Sequence, residues 1–213
     1  MQSQQSVNNS QPRVFHYSLD WRFLLPLSDP HRIFVFFEDN PDFCETLEYV
    51  GIPVSNQLSF LDIQQKPQKE ASSLAFPFGV PVNWVSGEAA DQIEFFRSIR
   101  KLLGEHGNLL VGFRNARGYR SNLAANYYRS TPQQMSTQLQ KAGFKAIKRF
   151  GVIPDLNIPE YIFELNPRSL DFALQHRFKR KTLFLKLLQL LSHTSGMMHL
   201  FDFLPCYFVA ATV

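Results

Sequence analysis

Between Ala89 and Phe113 the sequence changes its hydrophobic period once, and that change constrains the fold more than any other feature of the chain. Ile93, Phe96, Ile99 and Leu103 recur at three- and four-residue spacing, which puts them on one stripe of a helix. Gly104 and Gly107 end that helix. Asn108 to Phe113 then follows as a run that is apolar at almost every position. A strand with one solvated face alternates apolar and polar residues, so a continuous run implies cover on both faces. Helix, glycine turn and doubly buried strand, in that order, are the repeating unit of an α/β sheet.

The rest of the chain extends the alternation. Arg13 to Leu27 is an aromatic-rich lead-in, and Ser28-Asp29-Pro30 is turn chemistry. Arg32 to Phe37 is a second doubly buried strand. Asn40 caps a helix with Pro41 at its first position, Phe43, Leu47 and Val50 on its stripe, and Gly51 at its end. Gln57 to Ile63 is a short strand, and Gln64 to Ser73 is a loop. Leu74 to Val85 is apolar but broken by Pro77, Gly79 and Pro81, and fits either an irregular strand with a loop or a packed loop. Thr131-Pro-Gln-Gln134 is a complete capping box, which starts a helix that Gly143 ends. Phe144 to Phe150, Tyr161 to Leu165 and Cys206 to Ala211 complete the strands, with a largely helical stretch from Ser169 to Leu191.

Composition excludes several classes. Met1 to Gln11 is almost entirely Gln, Ser and Asn, so residues 1–12 form a disordered tail ahead of one domain spanning 13–213. The net charge of +4 is mildly basic, and its densest group is Arg177, Lys179, Arg180 and Lys181. That group is either a solvated face or a contact with an anionic partner. Nucleic acid is not expected, since no recognised module accompanies it. Cys44 and Cys206 sit in apolar surroundings and are expected to be buried thiols, and with no apolar leader in view a cytoplasmic location is the expectation. No apolar stretch is long enough to span a bilayer. His16, His31, His106, His176, His193 and His199 lack metal-ligand spacing, so no metal is expected. Nucleophile-elbow, phosphate-loop and dinucleotide motifs are absent.

The segment from Asn83-Trp84-Val85 through Ile93 to Leu103, Glu105-His106-Gly107 and Leu109 to Asn115 resembles the second half of class I S-adenosylmethionine methyltransferases. In that family a helix with a basic, leucine-ending tail turns into the fifth strand. Tyr128 through Gly143-Phe144 to Phe150 is similar to the family's capped helix and sixth strand. Asp20-Trp-Arg to Leu24-Leu-Pro-Leu27, Gly151 to Leu156 and Pro159 to Phe163 narrow the likeness to methyltransferase-like proteins of bacterial glycan and lipopolysaccharide assembly. The resemblance implies a Rossmann-like sheet, mostly parallel with an antiparallel final strand, and a helical insertion at about 165–204.

One departure bears on activity. The family places a glycine-rich loop after the first strand, where backbone approaches the cofactor. Here no glycine lies between Pro12 and Gly51, which implies that part of the first strand–loop–helix region is missing or fused. By position, Glu38 or Asp39 matches the acid that receives the cofactor ribose hydroxyls, or else stabilises a helix N-terminus. Asp62 matches an acid that contacts adenine, or else ends a strand, and Trp84 lies near the cleft or in the core. Arg114, Asn115, Arg117 and Tyr119 follow the fifth strand, where open α/β sheets bind ligands, and are either a substrate-facing cluster or solvated loop residues. No residue stands out as the catalyst.

Two functions follow. One is methyl transfer from S-adenosylmethionine to a hydroxyl or carboxyl group of a small-molecule, glycan or peptide acceptor. The other is an inactive methyltransferase-like protein that acts as an assembly partner. Its apolar, basic stretch from Phe172 to Phe208 would meet a protein partner, a second copy or a membrane surface.

Overall fold

The computed structural model describes residues 24–25, 33–35, 73–76, 80, 89–103, 105–118, 128–156, 159–166, 168–169, 172 and 204–213. Among these, seven strands form one sheet. In chain order the elements are β1 (Ile33–Val35), β2 (Ser73–Phe76), α1 (Ala89–Leu103), β3 (Asn108–Asn115), β4 (Arg129–Ser130), α2 (Pro132–Lys141), β5 (Lys145–Pro154), β6 (Pro159–Glu164) and β7 (Cys206–Thr212). Their spatial order is β1-β2-β3-β7-β5-β6, with β4 paired to the end of β3.

Strands β1, β2, β3 and β4 run parallel. The final strand, β7, lies antiparallel to both β3 and β5, so β5 points the same way as β3. β6 returns antiparallel to β5 as a hairpin. This is an α/β sheet, mostly parallel with a reversed final strand, as the resemblance implied. Its parallel members meet through crossovers such as β2–α1–β3, whose helix covers one face.

The helix boundaries follow from the local chemistry. α1 spans the expected residues, but its inward stripe is Gln92, Phe95, Phe96, Ile99 and Leu103, and Ile93 sits half-buried at the margin. Phe95 and Phe96 both reach the core, so the stripe is centred nearer them than the apolar spacing alone indicates. α2 begins at its capping box: Gln134 N–H donates to Thr131 Oγ1 at 3.2 Å, and Thr131 N–H donates to Gln134 Oε1 at 3.1 Å.

The sheet separates two apolar layers. On the helix side Phe76, Phe96, Ile99, Leu109, Val111, Phe113, Leu139, Tyr207 and Val209 pack together. On the other side Ala75, Leu110, Val152, Cys206 and Phe208 meet Leu25 and Leu156. Leu109, Leu110 and Val111 are consecutive and fully buried, which is the doubly covered strand expected from their run. The ambiguous stretch after Leu74 contains a true parallel strand, β2, buried at all four positions and paired between β1 and β3. Cys206 is a buried free thiol, as expected. Phe208 is also fully buried, which removes it from the apolar surface expected over Phe172 to Phe208, while Phe172 is exposed. The expected helix after Asn40, the strand at Gln57 to Ile63, Cys44, the N-terminal tail and most of the 165–204 insertion lie outside the described residues.

Candidate functional site at the carboxyl edge of the sheet

Strands β1, β2, β3 and β5 end at one edge, marked by Val35, Phe76, Asn115 and Pro154. β7 begins at the same edge with Cys206. Open α/β sheets bind ligands beyond these carboxyl ends, because the loops there diverge to opposite faces.

Backbone hydrogen bonds tie the edge segments together. Asn115 N–H donates to Pro205 C=O at 2.9 Å, Ala116 N–H to Ser130 C=O at 3.1 Å, and Tyr128 N–H to Val80 C=O at 2.8 Å. Gly118 lies against the 204–205 segment: a Cβ there would come within 2.6 Å of the Leu204 carbonyl oxygen. Only glycine permits that approach.

Asn115, at the end of β3, is fully buried. Its Nδ2 donates to Leu204 C=O at 2.8 Å and to Tyr207 Oη at 3.0 Å, and its Oδ1 accepts from Arg117 N–H at 3.1 Å. The residue therefore clamps the start of β7 to the end of β3 and shapes the turn that carries Arg117. Arg117 is exposed beside it.

Arg114 pairs with Asp155, just past β5. Its Nη1 donates to Asp155 Oδ2 at 2.8 Å and its Nη2 to Oδ1 at 3.4 Å, with 12% and 20% of the two side chains exposed. The pair spans the width of β7, since Arg114 lies opposite Cys206 and Cys206 opposite Val152. Nothing local in the sequence marks Asp155, which follows a proline at a strand end. Its partner identifies it.

A second polar group lies behind the edge, between the helices. Tyr128 Oη donates to Gln92 Oε1 at 2.7 Å, while Gln138 Nε2 donates to Tyr128 Oη at 3.1 Å and also to Gln92 Oε1. Gln92 and Gln138 are buried on the facing stripes of α1 and α2. A pattern that scores only apolar residues passes over both.

Of the expected site residues, the structure brings Arg114, Asn115 and Arg117 together at this edge. Glu38, Asp39, Asp62, Trp84 and Tyr119 lie outside the described residues. No group of His, Cys, Asp and Glu with metal-binding geometry occurs among the described residues. No helix among them is long and apolar enough to cross a membrane.

No protein-family model matches the sequence, and no curated protein does either. Solved structures do. An S-adenosylmethionine-dependent methyltransferase from Archaeoglobus fulgidus superposes over 86% of this chain and 86% of its own, with a TM-score of 0.51 and 12% identity. The two proteins share a fold. The sheet that carries the Arg114 edge is part of that shared fold. Phosphoethanolamine N-methyltransferase 2 from Haemonchus contortus covers 90% of this chain and 50% of its own at a TM-score of 0.47 and 10% identity. A possible histamine N-methyltransferase from Thermotoga maritima covers 85% and 72% at 0.43 and 12% identity.

Proposed function

We propose that the chain transfers a methyl group from S-adenosylmethionine to a hydroxyl or carboxyl group of a small-molecule, glycan or peptide acceptor. The observation that carries this reading is the fold shared with the Archaeoglobus methyltransferase across 86% of both chains. In the proposed arrangement the cofactor lies beyond β1 and β2, contacted by Glu38, Asp39, Asp62 and Trp84. A carboxylate at Glu38 or Asp39 suits ribose, because it accepts two hydroxyl hydrogen bonds. The acceptor lies beyond β3, near Arg114, Arg117 and Tyr119, with Asn115 holding the turn between them.

S-adenosylmethionine supplies an electrophilic methyl group. The protein's part is to align it with the acceptor oxygen, which lowers the barrier by removing the entropy of encounter. The interlocked segments at Val80, Asn115 to Gly118, Tyr128 and Leu204-Pro205 support such alignment, since their cross-links leave the edge little freedom to relax. Glycan or lipopolysaccharide assembly is the setting that the narrower sequence likeness suggests.

Titration calorimetry with S-adenosylmethionine and S-adenosylhomocysteine tests the proposal. Micromolar binding is expected, weakened at least tenfold, or about 1.4 kcal/mol, when Glu38 and Asp39 are both changed to alanine. No binding by a folded sample rejects it.

One observation favours a second reading, in which the protein is an inactive assembly partner. β1 neighbours β2 and ends at Val35, and no glycine follows until Gly51. Backbone approach to a cofactor is harder without one. On this reading the surface around exposed Phe172 engages a protein partner, a second copy or a membrane face. A self-associated protein that ignores both cofactor forms would be its signature in light scattering and calorimetry.

A further inference from the structure

Arg114 is buried more deeply than its hydrogen bonds warrant. A guanidinium carries five donors in a planar fork. Here Nη1 makes one short bond to Asp155, Nη2 makes a long one at 3.4 Å, and Nε is enclosed with no partner among the described residues. The neighbours across the sheet, Cys206 and Val152, are buried, and neither is hydrogen-bonded to Nε. Burying a donor without an acceptor is unfavourable, and native proteins keep few such groups. Asp155 balances the charge, but it engages only the Nη end of the fork. The side bearing Nε is left for a second acceptor, and an oxyanion makes the strongest charge-assisted bonds to it.

We infer that Arg114, braced by Asp155, receives a carboxylate or phosphate group of the acceptor, so that the substrate is an anionic molecule. This rests on the reading of the carboxyl edge as the acceptor site. Asp155 holds the guanidinium in the absence of ligand, and its carboxylate charge opposes an incoming anion. Because Nε is enclosed, binding requires the guanidinium to turn toward the edge, and the weak Nη2 contact is the one it exchanges for the ligand. The ends of β1 and β3 are two strand spacings apart, about 10 Å.

Arginine side-chain NMR on the full 213-residue chain tests this. The Arg114 Nε–H resonance is assigned by its absence in Arg114→Lys. Inorganic phosphate and acetate are then titrated separately against chloride at constant ionic strength. A saturable shift of that resonance is expected with at least one of them; phosphate alone points to a phosphorylated acceptor and acetate alone to a carboxylate. In Asp155→Asn the same anion binds about threefold more tightly, the scale of one partly screened charge interaction. An Arg114 resonance that neither anion moves, or that moves no more than that of exposed Arg97, overturns the inference. S-adenosylhomocysteine binding is measured on the same sample. Its absence beside an intact anion response removes the methyl-transfer reading alone, and its presence beside an unresponsive Arg114 removes the anion site alone.

Discussion

Asn115 and Gly143 illustrate how much a single position decides when it is buried or has a positive φ. Both amide protons of Asn115 are donated inside the protein, and removing them would leave the Leu204 carbonyl and the Tyr207 hydroxyl without this partner. Gly143 ends α2 with φ at 95°, and a Cβ there would lie 3.2 Å from Cζ and Nε of Arg100. Gly143→Ala is expected to lower stability by about 1–2 kcal/mol, the cost of a left-handed L-residue, read as a shift in the denaturant midpoint. Ala146, close by in β5, also has positive φ, at 43°. Ala146→Gly is expected to stay within about 0.5 kcal/mol of neutral, because relief of strain is offset by the entropy glycine loses on folding. The glycine at the end of α2 was legible in the sequence. The strain at Ala146 was not, because alanine carries no mark of left-handed backbone. Asp155 was missed for a related reason: an ion pair between residues on β3 and after β5 exists only once β7 has brought them side by side.

At the scale of elements, legibility followed the strength of the local signal. α1 and α2 were bounded by glycines and a capping box, and both form where those signals stand. Thr131→Ala removes the side-chain acceptor of that box and is expected to cost about 1 kcal/mol, measured by urea unfolding. β3 and β7 were legible as continuous apolar runs. β2 was legible only as one of two alternatives, since its four residues precede Pro77 and Gly79, and its assignment depends on pairing with both β1 and β3. β5 extends to Pro154, past the expected Phe150, because β6 and β7 flank that part of it on both sides. Within the candidate site, the loop after β3 was legible from topology alone. The Gln92–Tyr128–Gln138 group was not, because polar residues on a helix stripe look solvated until the second helix covers them.

At the scale of the molecule, the sheet is organised around its last strand. β7 pairs along its length with β3 on one side and β5 on the other, joining the parallel half to the β5–β6 hairpin. Amides of β3, β7 and β5 are therefore expected to exchange most slowly, opening only with global unfolding, while those of β1 and β6 exchange earlier. Hydrogen exchange followed by mass spectrometry reads this order. The same placement imposes a timetable on synthesis. Roughly ninety residues separate the end of β3 from the start of β7, and at about 5–20 residues per second translation takes on the order of ten seconds to cross them. Through that interval the flank of β3 destined for β7 has no native neighbour, so a nascent chain stalled before Cys206 presents a bare, apolar strand edge to whatever surrounds the ribosome.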